Sequence, residues 1–120
     1  AGADLIDGGG GVDVADYRAS TLGVSVNLES GLGTGGDAQG DRLTGVERLT
    51  GSDFGDSLTG DGGANLLRGE AGDDTLAGGA GSDALFGGDG ADQFIFAGPD
   101  PGTWDVIGDH ATGVDRFALS

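Results

Sequence analysis

The sequence predicts an all-β fold: a right-handed parallel β-roll of nonapeptide repeats, closed by a C-terminal capping segment. Three observations point to it. Glycine fills 29 of 120 positions, about a quarter, where ~7% is usual. Leu, Ile, Val and Phe together supply only 27 residues. That is too few for an ordinary core, and close to the level at which a highly charged chain stays disordered. From Gly51 onward the chain repeats every nine residues without a gap, as a disordered glycine linker would not.

The repeat columns set the register for the whole chain. The units are GSDFGDSLT (51–59), GDGGANLLR (60–68), GEAGDDTLA (69–77), GGAGSDALF (78–86) and GGDGADQFI (87–95). Position one is glycine in all five. Position six is Asp56, Asn65, Asp74, Asp83 and Asp92. Position eight is Leu58, Leu67, Leu76, Leu85 and Phe94. Positions one to six are small and polar, which is turn chemistry. Positions seven to nine make a very short strand with one inward side chain. Two units then form one coil, and successive coils stack as parallel strands ~4.8 Å apart with the leucines inside.

The flanking segments fit this register less regularly. At the start, Gly2, Asp4 and Ile6 match the end of one unit, and 8–16 (GGGGVDVAD) match another, with Asp13 in the aspartate column. Val24 to Leu28 alternates apolar and polar, as a strand does. Gly31, Gly33, Gly35 and Gly36 read as a loose loop, so 17–35 is expected to be an extended insertion lying beside the roll. Residues 36–44 form a degenerate unit with Asp41 and Leu43 in register, and 45–50 a shortened coil keeping Leu49. After 95 the repeat stops. Pro99 and Pro101 mark a loop, and Trp104 and Phe117 are expected to bury the last rung, since an open strand edge invites pairing. The divisions are thus 1–50, 51–95 and 96–120, within one domain.

Charge narrows the chemistry. With 18 Asp, 3 Glu, 5 Arg and no Lys, the formal charge is −16. Nucleic acid and anionic membrane are poor partners for such a chain. A P-loop needs the missing lysine, and no apolar run is long enough for membrane insertion. The chain opens on Ala1-Gly2-Ala3-Asp4 without a basic n-region, so no signal peptide is expected. Zero cysteines remove disulfides and thiolate zinc sites. A small chain without disulfides needs another staple, and the charge sign indicates a hard cation.

The column spacing says where that cation goes. Turns on the same side are eighteen residues apart, so Asp56, Asp74 and Asp92 stack on one edge, and Asn65 and Asp83 on the other. Two carboxylates ~5 Å apart repel by about 3 kcal/mol at an effective dielectric of 20. A cation between rungs reverses the sign. Carboxylate and backbone carbonyl oxygens suit Ca²⁺, and Mg²⁺ fits a backbone-rich site poorly.

These units resemble GGxGxDxUx, the nonapeptide of the RTX family of haemolysin-type calcium-binding repeats. Residues 78–83 (GGAGSD) and 87–92 (GGDGAD) carry the turn motif in full. Ser52, Asp61 and Glu70 stand in place of the second glycine, Phe54 in place of the fourth, and Asn65 in place of the aspartate. Residues 90–96, 105–109 and 113–120 are similar to the ends of RTX modules in serralysin-type metalloproteases and mannuronan C-5-epimerases. The resemblance implies Ca²⁺ in the turns, about three ions in the regular block. The ligands would be Asp56, Asp74, Asp92, Asn65 and Asp83, with the backbone of Gly72, Gly79, Gly81, Gly88 and Gly90, and further Asp13 and Asp41 in the flanks. Asn65 brings no charge, so its site should be the weakest. Asp109 and Asp115 fit either a further ion in the cap or a hydrogen-bonded turn. The resemblance also implies a partner, the type I secretion machinery, and folding outside the cell. The chain would be the non-catalytic part of a secreted enzyme or, alternatively, a structural module of an adhesin or S-layer protein. An acidic face could touch polysaccharide through shared calcium, but nothing in the sequence demands it.

Catalytic readings find no support. His110 is the only histidine, and neither HExxH nor GxSxG is present. EF-hand loops fail for want of DxDxDG with a glutamate at twelve. The carboxylate spacing follows the repeat, which glycoside hydrolysis does not require. Tyr17 reads as packing, and the five scattered arginines as solvated surface, with Arg116 able to pair with a neighbouring aspartate.

Overall fold

The computed structural model describes residues 5–79, 83–96, 106–109 and 116–119, the side chains of Phe96 and of the last two segments excepted. Position eight of each unit is apolar between two outward neighbours, and the regular block forms strands of three or four residues at those positions. They are β7 (Ser57–Thr59), β8 (Leu66–Arg68), β9 (Thr75–Ala77), β10 (Ala84–Phe86) and β11 (Gln93–Phe96). The flanks add β1 (Leu5–Asp7), β2 (Val14–Asp16), β3 (Ser25–Asn27), β4 (Leu32–Thr34), β5 (Arg42–Thr44), β6 (Arg48–Thr50), β12 (Val106–Asp109) and β13 (Arg116–Leu119).

From β5 onward, successive strands join alternate sheets. An eight-stranded sheet runs β1-β5-β4-β3-β7-β9-β11-β13, and a five-stranded sheet runs β12-β10-β8-β6-β2. In the regular block the pairing is parallel with an offset of eighteen residues, as in Ser57 opposite Thr75 and Leu66 opposite Ala84. This is the predicted β-roll. The position-eight side chains meet between the sheets: Leu58, Leu67, Leu76, Leu85 and Phe94 are fully buried, and Leu49 joins them from the shortened coil. Each such side chain contributes roughly 1.5–3 kcal/mol of apolar burial. The units at the start hold their register too, with Ala15 and Leu43 inward and Ile6 packed against the core.

Two expectations for 17–35 change. The segment does not lie beside the roll. Strand β3 sits inside the larger sheet, parallel to β7, with Val26 opposite Leu58. Val24, Val26 and Leu28 are buried, so the alternating face finds the same interior that the leucines use. The glycine-rich stretch is not a loose loop either. It holds β4, antiparallel to β3. Gly33 is buried there, and a Cβ on it would lie 2.8 Å from the Ala38 carbonyl oxygen. The chain then makes one 3₁₀ turn (Gly36–Ala38) and enters β5.

At the other end, β12 pairs with β10 and β13 with β11, both parallel. The expected capping segment therefore contributes one more backbone rung to each sheet. Trp104, Pro99, Pro101 and His110 lie outside the described residues, and the Phe117 and Arg116 side chains are likewise not described.

The glycine at position one has a steric cause. Its φ is not in the left-handed region at Gly51, Gly60, Gly69, Gly78 or Gly87. A Cβ there would overlap the position-six side chain of the same unit: Asp56, Asn65, Asp74, Asp83 and Asp92 respectively. Gly62, by contrast, has open space around it and no left-handed φ. Gly69→Ala should therefore cost about 1–3 kcal/mol through overpacking. Gly62→Ala should be neutral or stabilise by up to about 1 kcal/mol. Denaturant unfolding in saturating calcium measures both; equal effects would remove the steric account.

Candidate metal centre

The position-six side chains are interior groups. Asp56 and Asn65 are 5% exposed, Asp74 and Asp83 2%, and Asp92 1%. Each lies one residue before a strand, so the ladder fixes its height and the turn fixes its direction. They meet along the edges as the spacing predicts. The Asp56 N–H donates to Asp74 Oδ1 at 2.8 Å, and the Asp74 N–H to Asp92 Oδ1 at 2.9 Å. On the other edge the Asn65 N–H donates to Asp83 Oδ1 at 2.8 Å. Each bond spans eighteen residues, one full coil.

Asp74 shows what this arrangement leaves undone. Its Oδ2 is buried and has no hydrogen-bond partner. Burial is the main cause that pushes its carboxyl up to about 9; the Asp56 N–H opposes this, and the charges of Asp56 and Asp92 add to it. A buried carboxylate with an idle oxygen is costly, and a bound cation removes that cost. The donor set suits calcium, since the oxygens are carboxylate and carbonyl. Among the described residues no three acidic or histidine side chains converge on one point. A cation here must therefore draw mostly on backbone carbonyls.

The turns supply them. Position two is left-handed at Glu70 (φ 69°), Gly79 (82°) and Gly88 (80°), and position four at Gly72 (93°) and Gly90 (107°). A Cβ on Gly88 would overlap the Glu70 carbonyl, and one on Gly90 the Gly72 carbonyl. Turn carbonyls of one rung thus press against the turn of the next. Glu70 is the exception in kind, a side-chain residue holding a conformation that usually costs ~1–2 kcal/mol. Gly81 lies outside the described residues.

The flanking aspartates differ from one another. Asp13 repeats the regular pattern: its Oδ2 is buried without a hydrogen-bond partner, against Gly8. Its N–H donates to Glu47 Oε1 at 2.9 Å. Asp41 is 1% exposed, and its Oδ2 accepts the Tyr17 hydroxyl at 2.9 Å. Asp109 ends β12 opposite Phe86, its side chain not described, and Asp115 lies outside the described residues.

Three contributors escaped the sequence reading. Ser52 is fully buried and binds Asp56 through both its N–H and its hydroxyl. Tyr17 carries a polar role beyond packing. Glu47 occupies the turn of the shortened coil. The signal for Ser52 was present, a hydroxyl residue where the motif has glycine, four residues before the aspartate. Nothing in the nonapeptide pattern pointed to Tyr17 or Glu47.

Without calcium, the folded-state Asp74 carboxyl titrates near 9 and its unfolded counterpart near ~4. The folded state then holds an extra proton between those values. That contribution to stability is complete below about pH 4 and lost as pH rises through about 9. In EDTA the β-type circular dichroism should decline as pH rises from about 4 through about 9. A signal that grows over that range contradicts the burial described.

Sequence comparison adds an independent line. Four copies of the RTX calcium-binding nonapeptide repeat match residues 1–17, 43–76 and 59–94, more than half of the chain. The stretch left between the matches contains the β3–β4 hairpin. No curated protein matches the chain significantly. The repeats, the parallel roll and the buried aspartate ladder agree, and the chain belongs to the RTX calcium-binding nonapeptide repeat family.

Proposed function

We propose that the chain is a calcium-dependent folding module whose turns hold Ca²⁺ between successive rungs. RTX repeats are structural calcium-binding units and not catalytic ones. The observation that carries the reading is Asp74, whose buried Oδ2 has no partner on the protein. The proposed ligands are Asp74, Asp83 and Asp92 with turn carbonyls around Gly72, Gly79, Gly88 and Gly90, and Asp13 in the first unit. Calcium supplies positive charge that lets these carboxylates stay ionised while buried. Each ion that binds only the folded chain adds about 2.7 kcal/mol at a hundredfold excess over its dissociation constant. Three ions at that excess would add roughly 8 kcal/mol, comparable with the whole stability of a small domain; millimolar calcium on sites of ~10⁻⁴–10⁻³ M supplies roughly 1–4 kcal/mol of it.

Extracellular calcium modules bind at ~10⁻⁴–10⁻³ M, a range in which the module would be empty inside a cell and filled outside. That supports export of the unfolded chain, by type I secretion as in the family, and folding on release. In this reading the module is the non-catalytic part of a secreted enzyme. A catalytic motif such as HExxH elsewhere in the same polypeptide would support that, and long tandem repeats would point to an adhesin or S-layer protein.

Circular dichroism during a calcium titration at pH 8 tests the reading. The β-type signal should fall in excess EDTA and return with calcium; a spectrum indifferent to EDTA overturns it. Asp74 lies between Asp56 and Asp92 and joins both ladder bonds. Asp74→Ala should therefore raise the calcium midpoint of folding more than Asp56→Ala or Asp92→Ala. A smaller shift for Asp74→Ala than for both others contradicts its central place.

A further inference from the structure

We infer that two of the five regular turns, 51–56 and 60–65, take no calcium, because side-chain donors of this chain stand where the cation would. The inference rests on the proposed function and narrows it. Asp56 and Asp74 occupy the same column one rung apart, yet their surroundings differ. Asp56 Oδ1 accepts the Ser52 hydroxyl at 2.7 Å and the Val24 N–H at 2.7 Å, and its Oδ2 accepts the Ser52 N–H at 2.8 Å. The Ser52 hydroxyl oxygen in turn accepts the Phe54 N–H at 3.0 Å, which leaves its proton for Asp56. A carboxylate offers about four acceptor sites, and three are filled here. Asp74 receives the Asp56 N–H on Oδ1, and its Oδ2 has no partner. The hydroxyl of Ser52 thus does for Asp56 what a cation would do for Asp74.

Asn65 reaches the same end by another route. Its carboxamide oxygen accepts the Asp61 N–H at 2.8 Å, and its Nδ2 donates to the Glu47 carbonyl at 3.2 Å. A cation in that place would need the Glu47 carbonyl and a carboxylate, and the amide presents a donor instead. The backbone agrees with the side chains. Neither 51–56 nor 60–65 contains a left-handed residue, whereas 69–74 and 87–92 contain two each. Both turns that lack a left-handed residue hold internal donors on their position-six side chains. Calcium sites of the regular block then fall at Asp74, Asp83 and Asp92, and Asp56 and Asn65 are rungs that close without an ion.

Equilibrium dialysis of calcium against the whole chain, at saturation, counts bound ions for wild type, Asp56→Asn, Asp74→Asn and Asn65→Asp. Asp56→Asn should bind as many ions as wild type, and Asp74→Asn at least one fewer. Asn65→Asp should bind one more, since it replaces the donor by a charge. An ion lost in Asp56→Asn overturns the inference. So does an unchanged count in Asn65→Asp, which keeps the inference testable if Asp56→Asn does not fold. Wild type that binds no calcium overturns the proposed function itself and is told apart by that first measurement.

Discussion

One hydrogen bond organises the molecule: the position-six side chain accepts the backbone N–H of the residue eighteen positions before it. The bond draws Asp74, Asp83 and Asp92 into the interior, and Asp56 makes its counterpart to the Val24 N–H across the inserted hairpin. It fixes the vertical register, because Asp74 can meet only one N–H on the rung beneath. It also dictates composition. The carboxylate packs against position one of its own unit, so that position has no room for a side chain. The spacing of aspartates, the invariant glycine and the short strand are three consequences of one contact.

The same contact sets an electrostatic problem that an ordinary core does not have. Charges one rung apart are brought together under low exposure, in a chain whose formal charge is −16. Burying an unpaired carboxylate costs several kcal/mol even after relaxation, more than one inward leucine returns. The apolar column alone cannot outweigh a column of ionised aspartates beside it. Each rung must neutralise or saturate its own carboxylate, by an ion, a proton or local donors.

Much of this was legible in the sequence, because repeats make one physical rule visible many times. Five registers aligned Gly51 with Gly87 and Leu58 with Phe94, and those columns located the strands, the interior and the edge on which Asp56, Asp74 and Asp92 stack. The hairpin of β3 and β4 was not legible as part of the sheet. Val24 to Leu28 gave a strand, but the sequence held no repeat partner to say which strand it joins. Glycines at 31, 33, 35 and 36 looked like punctuation, although Gly33 is excluded from carrying a side chain by Ala38. Nor did the sequence separate Asp56 from Asp74. That distinction lies in Ser52 and Val24, one a departure from the motif and the other outside it.

The hairpin bears on how the chain finds its fold. Regular rungs pair residues eighteen apart, while β3 meets β7 across 32 positions and β1 meets β5 across 37. Doubling a closed loop adds only about 0.6 kcal/mol of chain entropy. An interruption of this length therefore taxes closure lightly, provided its own apolar face finds the common interior, as Val26 does beside Leu58. Contact order rises toward the start of the chain, and short-range pairings form faster than long-range ones. The regular block is thus the natural template, with the less regular flank, more distant in contour than in space, settling onto a surface already built.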